Sequence, residues 1–390
     1  MPVAGNTVST DTRIEVPGVE ITSLADIEAV VRAWREVEAD ADSSFFVSAD
    51  WTDAWLRSLP EEALPLLVRI ALDDDSTALA LLGRTRTRRR KVIRSRVLAL
   101  HETGDRELDI FTVEHNRLLA RAGAETNAWH SLLTALAHRP DWWDELRVSA
   151  VTRSERDRVL AAADEAGLDT RLIDSKPYYF VNLRNLRESG QDYLGSLSRN
   201  TRYQVRRSAK LYEQEYGEVT LRNAESVEEA LTFFSRLCEL HEAYWNERGL
   251  PGAFATQLSQ AFHRRLITNC VPEGHAQLTR IRAGDHEIGY LYNFVHRGTV
   301  SSYQSGFNYS ADNRVKPGLL GHCLVVEKQI EAGEDVYDFL MGRSQYKSSL
   351  STDEGEMSWL SIQRPRLMFR LEALAQRIKA RLTVSRNSED

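Results

Sequence analysis

The sequence has little cysteine and none of the short motifs that mark several common enzyme classes. Its 390 residues include three cysteines, Cys238, Cys270 and Cys323, which are too far apart to form a CxxC pair or a disulfide framework. Each lies in an apolar context, which predicts buried free thiols. Metal-ligand spacing of His, Cys or carboxylate residues is absent, as are the GxSxG, P-loop and GxGxxG motifs. These absences argue against a disulfide scaffold, a metal centre and a catalytic cysteine.

Long hydrophobic runs and an overall basic charge are also missing. No apolar stretch approaches the length that spans a bilayer, and residues 1–20 are polar rather than basic and then apolar, unlike a secretory signal. The formal net charge of -7 argues against a protein whose whole surface binds nucleic acid, although a local basic groove is still compatible with it. We therefore expect a soluble cytoplasmic protein.

What is present is the pattern of a globular protein with two domains. Of the residues, 42% are hydrophobic and 27% charged, and the length suffices for two cores. Strands alternate with helices, which predicts an α/β fold with a mixed sheet. We expect a disordered segment at 1–22, a first domain at 23–190, a second at 191–364 that repeats the same order of elements, and an amphipathic helix with a tail at 365–390.

A strand–helix–strand unit in the last third of the chain is the best candidate for a ligand site. Residues 299–307 predict one strand and residues 336–340 another, with the helix Pro317–Ala332 between them. The helix begins with Lys316-Pro317-Gly318. Free N–H groups from Gly318 to Leu320, with the charge of Lys316, suit a pyrophosphate. The alternative is an ordinary crossover helix that starts with proline.

Several side chains around this unit are candidates for chemistry. Asp338, on an otherwise apolar strand, is either a structural acceptor for backbone N–H groups or a proton-transfer group. Lys347 follows the same strand and either stabilises an oxyanion or is solvated. Tyr303 and Gln304 point to opposite faces of their strand, so one is expected in the crevice and the other in the core. His241 is either a base or a packed helix histidine.

Two basic stretches are compatible with an anionic partner. The first spans residues 84–96, and its alternative is a solvated hairpin tip. The second is a single helix predicted over residues 193–216, on which Arg202, Arg206 and Lys210 share one face at i, i+4 spacing, where stacked like charges are mildly destabilising. Neither interleaves aromatic residues as a nucleic-acid platform does.

These pieces, in this order, resemble the CelD-like, FemAB-related branch of the GNAT acyltransferase superfamily between about residues 193 and 350. The matching pieces are Ser198-Arg199-Asn200, Arg206-Arg207, His241 with Trp245, Gly249 and Pro251-Gly252, Gly289-Tyr290-Leu291-Tyr292-Asn293, Tyr303-Gln304-Ser305-Gly306-Phe307, Lys316-Pro317-Gly318, and Tyr337-Asp338-Phe339-Leu340 with Gly342 and Tyr346-Lys347. The resemblance implies two tandem GNAT-like domains, the first of them degenerate.

The resemblance also implies direct acyl transfer from acyl-CoA, acetyl-CoA or longer, to an amine, without a metal. The thioester would lie between the two strands. The implied catalytic residues are Asp338, Lys347, His241 and Tyr303, with Asp338 the first choice of base and His241 the second. The implied acyl-CoA contacts are Ser305, Gly306, Phe307, Val315, Lys316, Gly318, Leu319 and Leu320, and the implied substrate contacts are Trp245, Tyr292, Asn293, Gln304, Arg343 and Tyr346.

The identity of the donor and the acceptor stays open at this point. In FemAB-type relatives the lysine that matches Lys347 helps transfer from aminoacyl-tRNA, so tRNA is the alternative donor. A GNAT-fold binding protein without activity is a third reading. The acceptor is expected to be a small molecule or a polymer precursor, and the protein a monomer or homodimer.

Overall fold

The computed structural model describes residues 13–72, 76–89, 93–111, 113–367 and 369. The strands are β1 (Arg13–Val16), β2 (Val19–Ser23), β3 (Leu66–Ala71), β4 (Thr77–Arg89), β5 (Ile93–Leu100), β6 (Glu145–Thr152), β7 (Asp169–Asn182), β8 (Val219–Asn223), β9 (Ala276–Ala283), β10 (His286–His296), β11 (Thr299–Phe307), β12 (Val336–Met341) and β13 (Asp353–Gln363). The helices are α1 (Ile27–Glu38), α2 (Ala49–Leu56), α3 (Glu125–Ala137), α4 (Arg153–Glu165), α5 (Leu183–Ser189), α6 (Tyr193–Ser196), α7 (Arg199–Tyr216), α8 (Val227–Asn246), α9 (Gln257–Cys270), α10 (Pro317–Ala332) and α11 (Gln345–Leu350).

All the described strands belong to one mixed sheet with a mirrored order. That order is β1-β2-β3-β4-β5-β6-β13-β7-β12-β11-β10-β9-β8. Read outward from the centre, each half has a parallel pair, β5 with β6 or β11 with β12, followed by antiparallel neighbours. A helix pair precedes β3 in the first half and β9 in the second, and α3 and α10 are the matching crossovers. The predicted mixed α/β fold of two tandem domains is confirmed.

The two halves exchange strands at the centre of the sheet. β7, from the first half of the chain, pairs with β12 of the second half. β13 pairs with β6 along one edge and with β7 along the other. Leu360 and Ile362 of β13 accordingly lie in the buried core of the first half. Each half therefore depends on the other for one of its inner strands.

Local sequence signals explain where the main helices begin and end. Ser198 and Ser226 cap α7 and α8 by accepting hydrogen bonds from Thr201 N and Glu229 N. Gly333 ends α10 in the left-handed region, at φ 88°. Cys323 is buried, as predicted, and burial raises its pKa to about 12.

Three expectations from the sequence need correction or lie outside the described residues. The disorder predicted for 1–22 is wrong from residue 13 onward, because β1 and β2 pair as a hairpin at the sheet edge; residues 1–12 lie outside the described residues. The single helix expected over residues 193–216 is two, α6 and α7, because Leu197 and Ser198 are extended. Most of the helix predicted at 365–390 lies outside the described residues, which end at 369.

Candidate functional site

The candidate site is a cavity of about 1390 Å³ where β11 and β12 separate. The two strands pair over three positions only, ending at Ser301 opposite Asp338. Beyond that point β11 still pairs with β10 along its other edge, with a bulge that leaves Tyr303 unpaired between Ser302 and Gln304. The inner edge of β11 therefore faces the cavity with backbone groups available to a ligand, as in β-strand addition.

The N-terminus of α10 opens into this cavity. Lys316 precedes the helix and provides no side-chain cap, and Pro317 occupies the first helical position. The next two residues, Gly318 and Leu319, line the cavity. N–H groups in the first turn have no partner within the helix, and the helix dipole places positive potential there. This end of α10 is consequently suited to an anion.

Arg207 of α7 adds a second indication of an anionic ligand. Its side chain lines the same cavity. Its Nε is buried and has no hydrogen-bond partner among the described residues. A buried guanidinium N–H without a partner is costly, so a ligand that accepts this hydrogen bond would be favoured.

Most of the residues predicted from the sequence do line the cavity. These are Lys347, His241, Tyr303, Ser305, Gly306, Phe307, Val315, Lys316, Gly318, Leu319, Trp245, Gln304, Arg343 and Tyr346. Four do not. Leu320, Tyr292 and Asn293 are buried in the interior, because they are on the core-facing sides of α10 and β10. Asp338, the first choice of base, is buried below the cavity floor and does not line it.

Asp338 is held by hydrogen bonds to two neighbours. One carboxylate oxygen is 2.7 Å from Nε2 of His115, and the other accepts the backbone N–H of Leu340 at 2.7 Å. Leu340 has φ 63°, a strained conformation for a leucine, which this second bond helps to hold. Burial alone would lower the pKa of His115, but the Asp338 carboxylate outweighs it and the pKa is raised. This arrangement fits the structural-acceptor reading of Asp338.

Glu114 comes from the first half of the chain and lines the cavity of the second. Its Oε2 accepts the backbone N–H of Met341 at 2.7 Å. The side chain is buried, and burial raises its pKa to about 7; the hydrogen bond from Met341 opposes this shift and the nearby charge of Asp338 adds to it. Neither Glu114 nor His115 was predicted from the sequence, since no motif surrounds them and His115 is 223 positions from Asp338.

Lys347 also lines the cavity, next to the last residues of β12. Its Nζ donates to the carbonyl oxygens of Leu340, at 3.3 Å, and Met341, at 2.7 Å. An ammonium group has three N–H donors, so one remains for a ligand. Burial lowers the pKa of Lys347, and the carboxylates of Glu114 and Asp338 oppose that shift.

His241 lines the cavity, but both of its ring nitrogens have backbone partners. Nδ1 lies 3.1 Å from the carbonyl oxygen of Ser305, and Nε2 is 3.2 Å from the backbone N of Ala253. These bonds require Nδ1 to donate and Nε2 to accept, which is the neutral tautomer. Burial lowers the pKa of His241, which is consistent with that state. His241 therefore ties α8 to β11 and has no free nitrogen to act as a base.

The matching position in the first half of the chain is closed by its own residues. Asn116 lies between β5 and β6, donating from Nδ2 to Leu100 O at 3.1 Å and from its backbone N to Ala150 O at 3.1 Å. At the start of α3, where α10 is open, the buried Glu125 accepts the backbone N–H of Gly123 at 3.0 Å. A carboxylate there would repel an anionic ligand. The first domain is thus degenerate at the position that forms the cavity in the second.

In the residues the structure describes, no three His, Cys, Asp or Glu side chains are grouped as a metal site requires. Among the same residues, none of the helices combines the length and apolar character that crossing a bilayer demands.

Comparison with known proteins identifies the domain that holds the cavity. The family of acetyltransferase (GNAT) domains matches residues 199–348. No curated protein matches the sequence. Among solved structures, FemX is similar at a TM-score of 0.58, with 10% identity over 87% of this chain and 98% of that chain.

Two further structures have the same overall fold. The C-terminal domain of a putative lysylphosphatidylglycerol synthetase from Agrobacterium fabrum matches with 11% identity over 90% of this chain and 95% of that chain, at a TM-score of 0.53. L-PGS from Bacillus licheniformis matches with 10% identity over 90% of this chain and 96% of that chain, at a TM-score of 0.51. Residues 199–348 therefore match the acetyltransferase (GNAT) domain family, and the chain as a whole, with its duplicated sheet, is similar in fold to FemX.

Proposed function

We propose that the protein is an N-acyltransferase that moves an acyl group from acyl-CoA to an amine. The observation that carries the proposal is the cavity formed by the split between β11 and β12, with the uncapped N-terminus of α10 at its mouth. The pyrophosphate of CoA would bind at Gly318 and Leu319, next to Lys316 and to the Nε of Arg207, which has no hydrogen-bond partner in the part of the chain that the structure describes. The pantetheine arm would extend along the free edge of β11.

The chemistry follows from the groups on the cavity floor. A neutral amine attacks the thioester carbonyl, and the negative charge that develops on the oxygen is stabilised by N–H donors aimed at it. Backbone N–H groups of β11 and the remaining N–H of Lys347 are the candidates for these donors. Collapse of the tetrahedral intermediate gives the amide and releases the CoA thiol.

Isothermal titration with CoA, acetyl-CoA and free pantetheine tests the donor. We expect CoA and acetyl-CoA to bind at micromolar concentrations and pantetheine, which lacks the pyrophosphate, to bind at least tenfold more weakly. Equal affinity for pantetheine and CoA would remove the helix terminus from the binding site, and no binding of any of the three would refute the proposal.

Aminoacyl transfer from tRNA is the second candidate, and the surface of α7 favours it. Arg199, Arg206 and Lys210 are exposed on this helix, while Arg207 of the same helix lines the cavity. A tRNA phosphate backbone could follow such a surface, with binding that weakens as salt increases. Charged tRNA that competes with acetyl-CoA for the protein at low salt would support this donor.

A further inference from the structure

We infer that Glu114, which the degenerate first domain supplies, accepts the proton of the acceptor ammonium in the site of the second domain. This inference rests on the proposed acyl transfer and adds the residue that makes the amine nucleophilic. Amines are protonated at neutral pH and cannot attack a thioester until a base takes one proton.

The geometry places Glu114 where such a base is needed. It lines the cavity at the end of β12, beside the Lys347 that we assign to the oxyanion. Its Oε2 accepts a hydrogen bond from Met341 N at 2.7 Å, which fixes the carboxylate. The second carboxylate oxygen is left to contact a ligand. Neither Asp338, which is below the floor, nor His241, whose nitrogens are occupied, offers an alternative.

The first domain holds Glu114 in place through the two residues that follow it. His115 binds Asp338 of β12 at 2.7 Å, and its ring also packs against Tyr178 with the centroids 5.0 Å apart. Asn116 fills the split between β5 and β6. The segment that closes the donor site of the first domain is therefore the segment that delivers Glu114 to the second.

The charges around Glu114 suit a base that works near neutral pH. Asp338 favours its protonated form, while His115 and Lys347 favour the carboxylate. Tyr303 also lies near Glu114, and its pKa is raised by burial and by that carboxylate. The opposing effects leave a carboxyl group able both to take up a proton and to release it at physiological pH.

The proton balance of the step is complete. The Glu114 carboxylate takes one proton from the ammonium, and the amine nitrogen forms its bond to the thioester carbon. The carbon–sulfur bond then breaks, and the thiolate leaves with the second proton lost by nitrogen. Glu114 finally returns its proton to water through the open cavity.

The test compares the wild type with Glu114→Gln, which keeps the size and an acceptor for Met341 N, and with Glu107→Gln, an exposed control on the same segment. Infrared spectra from pH 5 to 9 report the protonated carboxyl band without needing an acceptor. Burial also raises the pKa of Glu102 to about 7, so the band of Glu114 is isolated by subtracting the Glu114→Gln spectrum. Thiol release from acetyl-CoA with a panel of primary amines gives kcat.

We expect the wild-type spectrum minus the Glu114→Gln spectrum to contain a carboxyl band that titrates near pH 7, and Glu107→Gln not to reproduce this difference. In that variant kcat should fall at least 100-fold and lose its rising limb near pH 7, whereas the Kd for acetyl-CoA stays within twofold of wild type. A difference spectrum, wild type minus Glu114→Gln, without a carboxyl band near pH 7, or a wild-type pH profile in that variant, would overturn the inference. Loss of acetyl-CoA binding by the wild type would instead refute the proposed function.

Discussion

Asp338 and His115 form a buried contact between the two halves of the chain, and pH governs its strength. The side chain of Asp338 is 3% exposed and that of His115 is 21% exposed. The pKa values of His115 and Glu114 both lie above their ordinary values of 6.5 and 4.5. A group whose pKa is raised by folding stabilises the native state below its unfolded pKa, and this contribution is lost as the pH rises through the folded pKa.

We therefore expect the free energy of unfolding, measured with urea, to differ more between the wild type and Asp338→Asn at pH 5 than at pH 8.5, because Asp338→Asn removes the charge that raises the pKa of His115. The variant should be ~3 kcal/mol less stable at pH 5 and lose less at pH 8.5. Taking the difference between the two proteins cancels the buried His263 and His322, whose lowered pKa values act in the opposite direction. Asp335→Asn, which breaks exposed ion pairs with Arg184 and Arg187, is the control and should cost much less. An equal loss for Asp338→Asn at both ends of the pH range would contradict this account.

Two lysines at opposite ends of the cavity should affect different kinetic constants. Lys347→Met removes one donor to the developing oxyanion, so we expect kcat for thiol release to fall ~100-fold with little change in the Kd for CoA. Lys316→Met removes charge beside the α10 terminus and should weaken CoA binding with kcat nearly unchanged. Thiol-release kinetics and calorimetry on both variants distinguish these effects. Turnover of Lys347→Met within threefold of wild type would show that the oxyanion does not depend on this lysine.

At the scale of an element, a negative charge at the N-terminus of α10 would stabilise the helix but weaken the binding of an anionic ligand. An acidic side chain in the first turn of a helix stabilises it by about 0.3–1 kcal/mol. A β-carbon at Gly318 would meet Phe307 no closer than 3.6 Å, so a side chain fits without displacing the helix. The same acidic group would, however, repel a pyrophosphate at this position.

Gly318→Asp should consequently keep or increase the melting temperature and weaken CoA binding at least tenfold. Ser154→Asp is the matched control, because Ser154 is exposed at the equivalent position of α4 and lies away from the cavity. This control should gain a similar stability and bind CoA as the wild type does. Calorimetry gives both quantities, and unchanged CoA affinity in Gly318→Asp would exclude this helix end as the phosphate site.

At the scale of the whole molecule, the exchange of β7 and β13 makes the two domains interdependent. Without residues 1–190, β12 would lose its partner β7, and β13 would lose both of its neighbours. Leu360 and Ile362 would also lose the apolar core in which they are buried. Unpaired strand edges and exposed apolar side chains promote aggregation.

A protein made of residues 191–390 alone should accordingly be insoluble or unfolded, although it contains the matched acetyltransferase domain. Co-expressed with residues 1–190, it should be recovered as a soluble complex that binds CoA. Size-exclusion chromatography and calorimetry check both expectations. A monomeric, folded fragment 191–390 that binds CoA by itself would show that the exchange is dispensable.

The sequence by itself determined the local elements and the mouth of the site. The pattern of residues predicted β11, α10 and β12, and Lys316-Pro317-Gly318 predicted the open helix terminus. These features depend on residues a few positions apart, so neighbouring sequence carries the signal. The first domain gave no comparable motif, because its donor site is closed by the ordinary residues Asn116 and Glu125.

Only the tertiary structure decided what lies on the cavity floor. In the sequence Asp338 is a catalytic candidate, but in the structure its carboxylate is bound to His115. Glu114 becomes a candidate only because the first domain places it against the backbone N–H of Met341. The order of the central strands was equally hidden, since β13 lies between β6 and β7, which are far from it along the chain. Contacts between residues hundreds of positions apart arise from how the two halves pack, and no local sequence pattern encodes them.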